Sequence, residues 1–164
     1  MTSKVWLVVG GALALACSSG NSGEQGYQCA GSGTMTAKVG ADLFTSTCLS
    51  ATNQQGLVIL QGVDDSAGKN SNEVNIYLVG NIPSTGTYSF KNDGDPDITW
   101  AFKGRAARMK PQPTGVDLGS IVVTKLTATQ IEGTFTAKTV TTGGATEETI
   151  DITEGKFSGT FGAP

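Results

Sequence analysis

The chain has 164 residues, with eleven Lys and Arg against fourteen Asp and Glu, for a formal charge of −3. It contains no histidine, which excludes His-based nucleophilic triads, most zinc sites and a histidine pH switch. Its most basic stretch, Lys103 to Lys110, carries four cations in eight residues; this suits a solvated loop or edge strand, and no block is basic enough to make nucleic acid a partner.

The first element is an export segment. Lys4 is followed by Val5 to Ala16, twelve residues without a charge. A spanning helix needs about 20 apolar residues, so this run is too short to cross a bilayer but long enough for the apolar region of a signal peptide. It ends Leu13-Ala-Leu-Ala16-Cys17. A cysteine directly after a small residue resembles the bacterial lipobox, although Ala14 stands where the usual box has Leu. That resemblance implies cleavage before Cys17 and a diacylglycerol thioether on its sulfur. Two or more acyl chains hold a protein to a bilayer where one chain does not. Ser18 is not the aspartate linked to inner-membrane retention, so the outer membrane is the expected location if the source is Gram-negative. The expected organisation is a signal peptide over 1–16, a lipidated flexible tether over 17–28 and a single domain over 29–164.

Residues 18–28 are small, polar and glycine-rich, a flexible linker composition. Cys29 and Cys48 remain as an even pair in an oxidising compartment. A disulfide between them would close a loop of roughly 20 residues and contribute on the order of 3 kcal/mol. The rival reading is two free buried thiols.

From Gly33 onward the hydrophobic period is two, the signature of a half-buried strand. Met35, Ala37 and Val39 alternate with Thr34, Thr36 and Lys38. Gly40 to Asp42 predicts a turn, Leu43 to Leu49 a returning strand, and Gly56 to Gly62 a third. A loop over 64–72 leads to Val74, Ile76 and Leu78 on one face. Ile82 to Gly86 reads as a turn, Thr87 to Phe90 as a short strand, and Ile98, Trp100 and Phe102 share the face of the next. Residues 104–115, interrupted by Pro111 and Pro113, read as a long loop or an irregular edge strand. Leu118 to Thr127 is a strand, and Ile131, Gly133, Phe135 and Ala137 point inward on its partner. A Thr/Gly loop is expected over 139–146. Ile150 and Ile152 then point inward before a turn at Glu154-Gly155, and Phe157, Gly159 and Phe161 form the last strand.

This pattern predicts an all-β domain of about ten short strands, an antiparallel two-sheet sandwich or a flattened barrel. Phe135 and Phe157 are the first choices for its core.

Three motifs carry a family resemblance: Gly119-Ser-Ile121-Val-Val-Thr124-Lys-Leu126, Ile131-Glu-Gly133-Thr-Phe135, and Ile150-Asp-Ile152-Thr-Glu-Gly155-Lys-Phe157. They resemble the G-x-I-x-I-T-x-L, I-x-G-T-F and I-T-x-G-x-F strands of small bacterial lipoproteins of unknown function, most familiar from Bacteroidetes. Met35-Thr-Ala37-Lys-Val39 and Gly86-Thr-Tyr88 are similar to their opening strand and G-x-Y turn. The likeness extends over most of 33–161. Those proteins often carry Asn-Gly and a Trp where this chain has Gly40-Ala-Asp-Leu-Phe44. The resemblance implies the β fold and lipidation, and no activity.

Candidate sites are few. Asp93, Asp95 and Asp97 alternate in a Gly- and Pro-containing segment. Calcium takes six to eight oxygens from such flexible acidic segments, so a weak calcium site is one reading and an exposed hairpin turn the other. Tyr77, Tyr88 and Trp100 offer an aromatic platform for a glycan or peptide; the alternative places Trp100 in the core with Ile98 and Phe102. Asp93, Asp95, Asp97, Asp117 and Glu132 all fall at polar or outward positions, so no paired-carboxylate chemistry is expected. The expected function is ligand binding by a membrane-anchored envelope domain without catalysis or cofactor. A structural subunit making protein contacts is the alternative.

Overall fold

A computed structural model describes residues 31–54, 57–64, 72–78, 84–90, 96–109, 116–142 and 146–161. The described residues form eleven strands and no helix: β1 Gly33–Val39, β2 Asp42–Ser46, β3 Cys48–Gln54, β4 Leu57–Asp64, β5 Asn72–Leu78, β6 Gly86–Ser89, β7 Asp97–Phe102, β8 Arg105–Arg108, β9 Gly119–Leu126, β10 Gln130–Thr142 and β11 Thr149–Thr160. The expected all-β class is what the chain adopts.

The strands form one sheet folded over on itself, in the order β11-β1-β3-β4-β5-β7-β8-β10-β9-β6, with β2 paired to β1. Because β10 also pairs β11, the path of neighbours returns to its start. One link in it is thin: β1 meets β3 through a single parallel pair, Gly33 with Cys48. The result is sandwich-like, with a mixed sheet, and not an evenly laddered barrel. The long strands β10 and β11 make the fold possible. β9 covers the first half of one edge of β10, and β8 covers its last residues on that same edge.

Alternation places one apolar face inside. Met35, Ala37, Val39, Leu60, Ile76, Ile98, Ile121, Ile131 and Phe135 all belong to one continuous buried cluster. Phe44 and Phe102 meet edge to face at 5.9 Å, and Phe135 lies 6.4 Å from Phe157, separations at which aromatic pairs attract beyond their buried area.

Four expectations are corrected. Leu43 to Leu49 is not one strand. The buried Ser46 hydroxyl donates to the Val63 carbonyl oxygen at 2.6 Å and accepts the Cys48 N–H at 3.0 Å. This hub turns the chain at Thr47, so β2 pairs β1 while β3 pairs β4. Residues 105–108 are not an irregular edge; β8 lies between β7 and β10. β10 continues to Thr142, through most of the expected Thr/Gly loop, because the buried Thr139 has its hydroxyl satisfied.

The fourth correction concerns Glu154-Gly155, which is a bulge inside a continuous strand. On β10, Phe135 opposes Gly155 and Ala137 opposes Ile152. On β1, Thr36 opposes Lys156 and Lys38 opposes Thr153. Both partners therefore span two residue steps where β11 spans three. Ile152 faces in, Thr153 and Glu154 both face out, and Gly155 faces in again. Glu154 takes φ = 53°, a left-handed conformation rare for a residue with a Cβ. A Cβ on Gly155 would lie 2.6 Å from the Phe135 ring, so glycine lets the bulge close onto the core.

Candidate functional site

The aromatic platform is not formed. Trp100 is 2% exposed. Its indole N–H donates to Thr139 Oγ1 at 2.8 Å, and the Thr139 hydroxyl donates to the Ile150 carbonyl oxygen at 3.0 Å. A buried indole needs a partner for its single donor, and β10 supplies it from within the core. Tyr77 is half-buried on β5, in register with Ile59 on one side and Asp97 on the other. Tyr88 is half-buried on β6, a strand that pairs β9, and its hydroxyl donates to the nearby Ser84 carbonyl oxygen at 2.7 Å. The two tyrosines belong to strands that do not pair with each other, and Trp100 presents no ring to solvent beside either.

Asp93 and Asp95 lie outside the described residues, as do Cys17 and Cys29. Asp97 begins β7 and is half-buried. Its Oδ1 accepts the Ile98 N–H at 2.7 Å. Desolvation by burial raises its carboxyl above the ordinary 3.8, against the opposing pull of the Ile98 N–H and the Arg108 charge. Among the described residues no group of three or more His, Cys, Asp or Glu is placed to hold a metal ion. Cys48 is buried at the head of β3 and has a bonding partner.

The structure assembles a different surface. The outward side chains of β2, β1, β11, β10, β9 and β6 align in one row: Thr45, Thr36, Lys156, Thr134, Val122 and Thr87. All six are exposed or half-exposed. At a strand spacing near 4.8 Å the row spans roughly 24 Å. Lysine stands near its middle, and hydroxyls flank it on both sides.

The β11 bulge interrupts this face and shapes it. On one side a cleft of about 380 Å³ is lined by Thr36, Ala37, Lys38, Leu43, Glu154 and Lys156. On the other a depression of about 180 Å³ includes Asp117, Thr136, Lys138, Asp151 and Thr153. Bulges re-aim side chains in this way. Here Glu154 turns toward β1, where Lys38 Nζ lies 2.6 Å from its carboxylate. Lys156 makes no ion pair with a described residue. Leu43 is 68% exposed at the rim, in register with Lys38. Most other charges near the face are already engaged: Lys125 pairs Glu132, and Asp117 accepts the Gly119 N–H.

Period-two alternation marks each member of the row as outward, but the row itself follows from register, which a single strand does not encode. The parity change between Ile152 and Phe157 was the available signal for the bulge.

The fold and this surface define an all-β sandwich-like domain with a hydroxyl- and lysine-bearing outer face. Comparison with family models, curated proteins and solved structures finds no match for the chain.

Proposed function

We propose that this chain is a membrane-anchored lipoprotein of the cell envelope whose β domain binds a glycan or peptide ligand on its outer face beside the β11 bulge. The carrying observation is that face. Across six strands, four threonine hydroxyls and a lysine without an ion-pair partner stand in water next to a cleft, while the large aromatics Trp100, Phe44 and Phe135 are spent on the core. Hydroxyls and ammonium groups bind polar ligands non-covalently and need no cofactor.

Anchoring rests on the sequence. Cys17 follows the short apolar run and carries the lipid in this reading, with the outer membrane as destination in a Gram-negative cell. The resemblance to small Bacteroidetes-type lipoproteins points the same way. Cys29–Cys48 is the proposed disulfide at the start of the domain; the buried, bonded Cys48 supports it, as does the packing of Gly31 against the Leu49 and Ser50 backbone. Catalysis is not part of the proposal. The chain has no histidine, and Asp97, Asp117 and Glu132 each bind a neighbouring N–H or lysine.

The test is a glycan and peptide array probed with the detergent-solubilised protein, followed by NMR mapping of any ligand found. The expected result is binding that perturbs the Thr36, Thr134 and Lys156 amides. Binding that maps instead to the β5–β7 face around Tyr77 would contradict the assignment of the site.

A further inference from the structure

The cleft on the β1 side of the bulge has a specific chemistry. Thr36 lines it from β1. Lys156 lies directly across from it on β11, and Lys38 follows two residues along the same face of β1. Two lysines therefore line the cleft beside one threonine. Only one carboxylate, that of Glu154, lines the same cleft, so its local charge is positive on a chain that is negative overall. Glu154 also shows which group such a lysine binds, since Lys38 Nζ donates to its carboxylate. Lys156 is left for a second carboxylate.

The rim supplies the other half of the recognition. Among the described residues the exposed large hydrophobics are Leu43 and Val116, and Leu43 lines this cleft. An apolar side chain in water beside two lysines fits a ligand with a carboxylate at one end and an apolar group a few ångströms away. A sugar offers Leu43 only the C–H face of its ring, less apolar area than an aliphatic side chain.

We infer that this cleft binds the free carboxy-terminus of a peptide, its carboxylate on Lys156 and Thr36 and an apolar side chain against Leu43. This rests on the binding role proposed above and names the ligand class for it. Contacts made in water are individually weak, so the expected dissociation constant for a tripeptide is on the order of 0.1–1 mM.

The experiment titrates the full-length, detergent-solubilised protein with N-acetyl-Ala-Leu-Ala and with the same peptide as its carboxamide, and follows backbone amide shifts by NMR. The acid is expected to shift Thr36, Leu43 and Lys156, and the amide to bind about three- to fivefold more weakly, the loss of one exposed charge interaction. Lys156→Met should reduce acid binding by the same factor and leave amide binding unchanged, with spectral dispersion reporting that the fold is intact. Leu43→Ser should weaken both, and Thr99→Ala, on β7 and outside this face, neither. Equal binding of acid and amide, or insensitivity of acid binding to Lys156→Met, would overturn the inference. Shifts on this face from a uronic-acid oligosaccharide, with the peptide silent, would overturn it too but leave the binding role standing. Silence from both probes together with an empty array would remove both.

Discussion

Thr139 is a polar residue at a core position, and its hydroxyl explains how it stays there. It accepts from Trp100 on β7 and donates to the backbone of β11. Thr139→Val keeps the shape but leaves the indole N–H without its partner. An unsatisfied buried group costs about 1–3 kcal/mol, so urea unfolding should show a loss in that range. Asp97 makes stability depend on pH. Its folded pKa is raised, so the stability it contributes is greatest below 3.8 and is lost as pH rises through the higher folded value. Asp97→Asn keeps an acceptor for the Ile98 N–H and removes that dependence. The variant should match or exceed the wild type at neutral pH and lose the fall in stability just above 3.8, as read from denaturant midpoints across pH. The sequence leaves the place of Trp100 open, because period-two alternation makes it share a face with Ile98 and Phe102 but does not say whether that face is covered. Covering depends on β10, which is 39 residues away at Thr139.

The bulge in β11 decides the surface at the scale of the element. Ile150 and Ile152 are even-numbered inward residues, while Gly155, Phe157 and Gly159 are odd-numbered. Such a change of parity beside a glycine reads equally well as a turn. Only the unbroken pairing of β11 with both β1 and β10 separates the two. Glu154 holds φ = 53°, and a β-branched residue there would be strained further. Glu154→Val should cost roughly 1–2 kcal/mol in chemical unfolding. Glu154→Gly should cost less than that, since it loses only an exposed ion pair, worth at most about 1 kcal/mol, and gains backbone freedom for the left-handed conformation. The turns were easier to read than the bulge. Gly40 takes φ = 62° at the β1–β2 connection, where the sequence places a turn, and Thr127 closes the β9–β10 turn by accepting the Thr129 and Gln130 N–H groups.

Across the whole molecule the inward sets were legible because they are local. Met35, Ala37, Val39, Ile131, Phe135 and Phe157 follow from alternation and are all buried. The strand order was not, because register between distant strands depends on length and on corners such as Ser46. Phe135 and Phe157 pack where β10 and β11 pair, the two strands that close the path. Phe135→Ala or Phe157→Ala should lower unfolding free energy by roughly 3–5 kcal/mol, measured in urea.

The fold also sets where a tether would leave. Thr160 donates its N–H to Ser32 at 3.2 Å, so the chain enters the domain where β1 begins and β11 ends. The Gly40–Ala41 turn lies at the other end of β1, roughly 23 Å away. A tether of residues 17–28, with a flexible reach of roughly 20 Å, would hold the entry end toward the bilayer and leave the row around Lys156 on the flank, open to a ligand. That arrangement depends on acylation of Cys17. Intact-mass spectrometry of the protein purified from its native host measures it directly. The expected result is a chain beginning at Cys17 and heavier by its acyl groups; an unmodified chain running from Met1 to Pro164 would contradict lipid anchoring.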